Sequence, residues 1–135
     1  MSGFGNFGAR AYTSVGVETG VVASDPHTLV TMLYDGALEA LHRATGCIQT
    51  EDLAGKTRAL SQAGRIIDEG LRASLDHEKG GEIASNLDAL YDYMCRRILV
   101  GSVENDQAPL SEVINLLDGL REAWISIKPQ TTAAA

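Results

Sequence analysis

The sequence predicts an all-α fold, an antiparallel up-down four-helix bundle with a flexible N-terminal arm. Four segments repeat apolar residues at spacings of three and four, the periodicity of a helix with one buried face. Short polar turns separate these segments, and short connections place consecutive helices side by side in opposite directions. We therefore expect a flexible arm or lid at residues 1–24, a helical bundle at 25–128 and a disordered tail at 129–135.

Composition limits the classes of function. The net charge is −7, from 18 acidic and 11 basic residues, so the chain lacks the basic surface that a nucleic-acid binder needs. No apolar run approaches the roughly 18 residues that span a bilayer, and the first residues do not resemble a secretory signal. Cys47 and Cys95 form no metal or disulfide motif, and we expect both to be small buried core thiols. We expect a cytoplasmic protein without nucleic-acid partners or membrane insertion.

The arm and the first helix meet at Asp25-Pro26. Residues 1–24 contain five glycines and no helical apolar stripe, so they cannot hold a helix alone. Asp25 can cap free backbone amides, and Pro26 suits the first helical position. The inner stripe of this helix comprises Val30, Leu33, Ala37, Leu41, Ala44 and Ile48.

Three further helices follow. The second should cover about residues 53–76 and the third about 82–100. Between them, a glycine of segment 77–81 can adopt the left-handed conformation that stops a helix. The fourth has Asp106 as a candidate cap before Pro109, and Pro129 should stop it. The inner faces are Leu60, Gly64, Ile67, Leu71 and Leu75 in the second, Ile83, Leu87, Leu90, Met94 and Ile98 in the third, and Leu110, Val113, Leu117, Leu120, Trp124 and Ile127 in the fourth.

Motifs for catalysis or metal binding are weak. Glu39 and His42 have the Glu-x-x-His spacing of di-iron bundles, but a second such pair is missing and His42 directly follows the inward-facing Leu41. The GxGxxG match at residues 3–8 has no preceding strand, and nothing arranges Ser, His and Asp as a triad. We expect no catalytic residue, no bound metal and no cofactor.

Excess apolar surface is more informative. A bundle helix needs about three apolar positions in seven, and the first and third predicted helices exceed this. One interpretation is a wide core covered in part by the N-terminal arm. The other is a groove left for a partner helix, with half-buried tyrosines whose hydroxyls stay wet. The candidate groove residues are Met32, Tyr34, Leu38, Tyr91, Tyr93 and Met94.

Two long motifs resemble the flagellin export chaperones, the FliS family. The segment MLYDGAL at residues 32–38, preceded by DPH and LV at 25–30, resembles the first-helix signature. The stretch from 75 to 94, LDHEKGGEIASNLDALYDYM, is similar to the second, longer signature. Tyr12 and Val17 fit the arm pattern, and the resemblance extends over about residues 10–127. An apparent extra residue near 24–26 departs from the pattern and affects the register of the arm.

The resemblance implies a chaperone that binds the disordered C-terminal segment of flagellin, prevents premature polymerisation and aids flagellar type III secretion. Export-gate components or a co-chaperone would be further partners. We hypothesise that Tyr12 and Val17 dock on a groove of the first and third helices and that flagellin displaces them. The alternative is a self-associating helical adaptor or regulatory bundle, in which the apolar surface is an oligomer interface.

Overall fold

Four helices form an antiparallel up-down bundle in the computed structural model, which describes residues 25–127. They are α1 (Pro26–Gln49), α2 (Leu53–Arg65), α3 (His77–Glu104) and α4 (Gln107–Ser126), and a π-helical segment, π1 (Ile66–Arg72), continues α2. Those residues contain no strand. The predicted fold class is confirmed. The predicted arm at 1–24 and the tail at 129–135 lie outside the described residues.

The cap and the buried stripe define α1, as predicted. The Asp25 carboxylate accepts the Thr28 backbone amide at 2.8 Å, and Pro26 occupies the first turn. The middle of the stripe is fully buried, whereas Val30 and Ile48 near the two helix ends are half-buried. Asp35, Glu39 and His42 lie on the solvent side, as a one-sided amphipathic helix requires.

The second helix differs from its prediction, because it is not one continuous α-helix to residue 76. It changes to a π-helix at Ile66–Arg72, where one turn holds an extra residue. Gly70 lies in this segment against α1, and a Cβ there would come within 2.9 Å of Leu33 Cδ2. A glycine therefore lets π1 approach α1 closely, which periodicity in the sequence does not reveal.

The third helix begins earlier and ends later than predicted. Asp76, expected at the end of the second helix, instead caps α3 by accepting the amides of Glu78 and Lys79 at 3.1 Å. A break follows at Gly81, whose φ of 51° and ψ of −122° are compatible only with glycine. The helix ends at Asn105, which has the left-handed conformation.

Polar contacts at both ends of the bundle show how the helices are arranged. His27 at the start of α1 contacts Trp124 at the end of α4, and Gln49 and Gln107 meet at the other end, at 3.5 Å. Adjacent helices pack as α1–α2, α2–α3, α3–α4 and α4–α1, whereas α1 and α3 are diagonal, with no Cα atoms within 8 Å of each other. A surface shared by α1 and α3 can therefore exist only where the bundle opens at an end.

Candidate functional site

The six predicted groove residues occupy two different environments. Tyr34, Leu38, Tyr91 and Met94 are buried in the core. Met32 and Tyr93 are half-buried. The predicted docking residues of the arm, Tyr12 and Val17, lie outside the described residues. Whether any of these residues contacts a partner stays a prediction.

Tyr34 and Tyr91 are brought together at the centre of the bundle. Their hydroxyl oxygens are 2.7 Å apart, so one hydrogen bond joins the two diagonal helices. Burial raises the pKa of Tyr34, and burial also raises the pKa of Tyr91, with the neighbouring Tyr34 adding to the shift. Each hydroxyl is therefore neutral at physiological pH and is satisfied by the other.

An apolar cavity of about 290 Å³ opens above this pair, at the end of the bundle where α1 starts and α4 finishes. Four elements contribute to it: α1, π1 with the turn after it, the first turns of α3, and the end of α4. Its principal lining residues are Val30, Tyr34, Leu71, Leu75, Ile83, Leu87, Tyr91 and Trp124. In this cavity, side chains of the diagonal helices α1 and α3 face a shared opening, and we name it the end cavity.

A reciprocal contact between His27 and Trp124 forms one edge of the end cavity. The Trp124 indole N–H donates to the His27 carbonyl at 2.9 Å, and His27 Nε2 donates to the Trp124 carbonyl, also at 2.9 Å. The two rings stack with centroids 4.7 Å apart. These two hydrogen bonds fix the end of α4 against the start of α1, because each side chain donates to the main-chain carbonyl of the other residue.

The opposite edge is made by the first turns of α3. The break at Gly81 separates the turn that begins at His77 from the regular helix, and Gly80, Ile83 and Ala84 line the end cavity around the break. Ile83, expected on the inner face, is 70% exposed. Ile127, also expected inside, is 56% exposed at the same end of the bundle. Both predictions of burial were wrong, because the apolar stripes of α3 and α4 extend to the end of the bundle, where no facing helix among residues 25–127 covers them.

Arg72 joins π1 to α3 beside the end cavity. Its guanidinium contacts Asp88 at 2.7 Å and Asp92 at 3.4 Å on α3, and Asp68 at 3.4 Å one turn earlier. The hydrogen bond from Arg72 holds the pKa of Asp88 below its usual value, and the same bond raises the pKa of Arg72. This network fixes the wall that carries Leu71 and Leu87, because Arg72 and Asp88 are their chain neighbours.

Tyr93 takes part in a separate polar contact between α3 and α4. Its hydroxyl donates to Glu112 Oε2 at 2.5 Å, while Arg97 Nε donates to Glu112 Oε1 at 2.8 Å. The two hydrogen bonds lower the pKa of Glu112, and Glu112 in turn raises the pKa of Tyr93. Tyr93 therefore lies on the α3–α4 side of the bundle and does not line the end cavity.

The described residues contain no group of three His, Cys, Asp or Glu side chains that could hold a metal. Glu39 forms an ion pair with Arg43 at 3.5 Å. Cys47 and Cys95 are free thiols that are half-buried, not fully buried as expected, and burial raises the pKa of Cys95 to about 11. Across residues 25–127, no helix is both long and apolar enough to cross a membrane.

Comparisons with known proteins identify similar chains. The family model described as "Flagellar protein FliS" matches residues 8–131. A flagellar secretion chaperone FliS from Salmonella typhimurium is 49% identical over 125 residues, which cover 93% of each chain. The protein of the same name from Escherichia coli is 44% identical over 117 residues, covering 87% of this chain and 86% of that one. The Bacillus subtilis relative is 33% identical over 107 residues, covering 79% and 78%.

Proposed function

Because this chain belongs to the FliS family of flagellar secretion chaperones, we propose that it binds the disordered C-terminal segment of flagellin in the cytoplasm. Binding keeps flagellin from polymerising prematurely and presents it for flagellar type III secretion. In this role the chain is not an enzyme: it uses a shaped apolar surface, and no bond in the client is made or broken. The client-binding unit is the helical bundle at residues 25–128.

The observation that carries this proposal is the end cavity. It is open, apolar and lined from four elements, and exposed Ile83 extends its apolar surface onto α3. Its volume of about 290 Å³ lies at the lower end of ligand pockets and suits a few apolar side chains, not a whole peptide. An amphipathic helix from a disordered client can place such side chains at helical spacing.

The energetics require a contact larger than the cavity. Burying one large apolar side chain contributes roughly 1.5–3 kcal/mol, and a micromolar complex needs about 8 kcal/mol. Ordering a disordered segment costs about 2–5 kcal/mol in addition. We therefore infer that flagellin anchors in the end cavity and continues along the bundle, where the half-buried Met32 and Tyr93 are candidate further contacts. Tyr34 and Tyr91 form the floor of the anchor, and Leu38 and Met94 support it from the core.

The N-terminal arm is proposed to cover this anchor when flagellin is absent. The arm joins α1 at Asp25, two residues before His27, which contacts the cavity residue Trp124. Val17 and Tyr12 precede Asp25 by 8 and 13 residues, about 27 and about 44 Å of extended chain, which is enough to reach the opening. Deleting residues 1–20 should increase binding of a hydrophobic dye and raise flagellin affinity. If both stay unchanged, the arm does not cover the site.

Co-purification tests the proposed client. Full-length flagellin should be retained by the tagged chain, and flagellin lacking its C-terminal segment should not. Trp124 is the only tryptophan in the chain and lies at the cavity edge, so its fluorescence should change on addition of a flagellin C-terminal peptide that lacks tryptophan. Equal retention of both flagellins would refute binding through that segment.

Sedimentation of the isolated protein addresses the competing function. A chaperone that reserves its apolar surface for a client should sediment as a monomer that converts to a flagellin complex. A tight dimer whose apolar surface is buried between copies would favour the self-associating adaptor.

A further inference from the structure

A second apolar surface lies at the other end of the bundle from the end cavity. Leu53, Leu99 and Val103 are 62%, 63% and 75% exposed, far above what an aliphatic side chain in a core would show. We name these three residues the far-end patch. Leu99 and Val103 are four positions apart on α3 and so lie on one face of that helix.

The three side chains flank the contact between α2 and α3. Lys56, one turn after Leu53, donates from Nζ to the Ser102 carbonyl at 2.8 Å, which places the start of α2 beside the end of α3. Cys95, one turn before Leu99, has its sulfur 4.0 Å from the Gly64 carbonyl of α2. Leu99 and Val103 lie about 40° and about 80° around α3 from Cys95, on the solvent side of the contact with α2, so the patch borders the seam between the two helices.

Carboxylates surround the far-end patch. The α1–α2 turn supplies Glu51 and Asp52, and the end of α3 and the following turn supply Glu104 and Asp106; all four are exposed. The two turns are neighbours, since Lys56 Nζ also donates to the Asn105 side chain at 2.5 Å. Asp52 and Asp106 are held in place as helix caps. The surface around the patch is therefore strongly anionic.

The cations nearby cancel only part of this charge. Lys56 is buried and directs its ammonium at the end of α3. Arg96 and Arg97, which precede Leu99, contact Asp92 at 3.2 Å and Glu112 at 2.8 Å respectively. Arg58 follows Leu53 by five residues, which turns it about 140° away around α2.

The far-end patch and the end cavity are separate surfaces. The cavity lies at the start of α1, whereas Gln49 at the end of α1 contacts Gln107 near the patch. A helix of 24 residues is about 36 Å long at 1.5 Å per residue. A side chain inserted in the end cavity therefore does not itself cover the far-end patch.

We propose that the far-end patch docks a basic amphipathic helix of a second protein, independently of the client. Aliphatic side chains along a seam between two helices accept apolar residues at helical spacing. The surrounding carboxylates select a partner that carries Lys or Arg beside those residues, and they repel nucleic acids and anionic membranes. Because the patch does not depend on the end cavity, this assignment stands or fails separately from flagellin binding.

A model peptide tests the proposal on the full-length protein. The probe is a fluorescein-labelled helix of leucine and lysine, about 14 residues or four turns long, followed by anisotropy. Leu99→Ser and Val103→Ser should each raise its Kd about fivefold or more. The double variant Glu51→Gln/Glu104→Gln should bind the peptide more weakly. Its affinity should also depend less on salt than that of the wild type between about 50 and about 500 mM. The control Ile125→Ser removes an exposed aliphatic residue from the other end and should leave the Kd unchanged.

Three results would overturn the proposal. The leucine–lysine peptide could fail to bind, or its Kd could stay unchanged in the Leu99 and Val103 variants. A leucine–glutamate helix of the same pattern could also bind with the same affinity. A dimer of the wild-type chain that Leu99→Ser dissociates would identify the occupant as a second copy. A peptide affinity that rises about tenfold on deletion of residues 1–24 would identify it as the chain's own arm.

Discussion

The hydroxyl of Tyr34 lies 2.7 Å from the hydroxyl of Tyr91, and this contact joins the two diagonal helices of the bundle. Both side chains are buried, and both also line the end cavity. A buried hydroxyl needs a partner, since leaving one unsatisfied costs more than a typical hydrogen bond contributes. The pair therefore connects the core packing to the floor of the proposed flagellin anchor.

A double-mutant cycle should show that each of the two hydroxyls depends on the other as its hydrogen-bond partner. Tyr34→Phe and Tyr91→Phe each leave one buried hydroxyl without its partner, and each should lower the free energy of unfolding by about 1–3 kcal/mol. The double variant removes both hydroxyls and should be less destabilised than the sum of the singles. Urea unfolding of the four proteins measures the coupling. Additive effects would mean that the hydroxyls do not depend on each other.

Alkaline pH should destabilise the wild-type protein through the same pair. Burial raises the pKa of both phenols, so above the ordinary value of 10.0 the folded chain retains protons that the unfolded chain has released. The stabilisation is complete below that pH and is lost as pH rises toward the folded pKa values. Relative to the double Phe variant, the wild type should lose about 1–2 kcal/mol between about pH 10 and about pH 11. If the free energy of unfolding changed with pH in the same way in the wild type and the double Phe variant, the burial of the two hydroxyls would be contradicted.

The edge formed by His27 and Trp124 should contribute to stability. Trp124→Phe keeps an aromatic ring but removes the donor to the His27 carbonyl, and it should cost about 1 kcal/mol in the free energy of unfolding. His27→Phe keeps the stacked ring but removes the reverse hydrogen bond, with a similar expected cost. Circular dichroism is the suitable measurement, because Trp124→Phe removes the only tryptophan. Unchanged stability in both variants would show that the contact is dispensable.

The break in α3 should require glycine. Gly81→Ala places a side chain at φ 51° and ψ −122°, and it should lower the free energy of unfolding by about 1–3 kcal/mol. Gly119→Ala is the matched control, because that glycine is helical and exposed and has open space around its Cβ position. The control should instead stabilise the protein by about 0.5–1 kcal/mol. If the two substitutions changed the free energy of unfolding equally, the backbone conformation at position 81 would not require glycine.

Most of the fold could be predicted from the sequence, because helical periodicity and capping are local signals. Asp25 and Asp106 cap α1 and α4 as expected. The glycines of segment 77–81 did indicate a left-handed stop, and Gly81 has a positive φ of 51°. The π-helical turn could not be predicted, since it depends on how π1 packs against α1. Gly70 against Leu33 is an example: the close approach is tertiary and leaves no periodic signal.

The candidate site was predicted only in part. The excess of apolar residues on the first and third helices drew attention to Tyr34 and Tyr91, which line the end cavity, but it could not separate core residues such as Met94 from cavity-lining ones such as Leu87. Contributions from π1 and α4 were missed, because helical periodicity does not say which side chains line an opening at the end of the bundle. The caps at Asp25 and Asp106 and the polar turns between the helices did indicate that the start of α1 lies beside the end of α4. The position of Trp124 next to His27 could have been inferred from that arrangement.

Flagellin affinity of cavity variants tests the account most directly. The wild type, Ile83→Ser, Leu87→Ser and the conservative control Ile83→Leu would be titrated with a flagellin C-terminal peptide by calorimetry. Each serine variant should bind about tenfold more weakly, the scale expected for losing one buried aliphatic contact, and Ile83→Leu should bind like the wild type. Wild-type affinity in both serine variants, with their fold intact, would contradict a flagellin anchor in the end cavity.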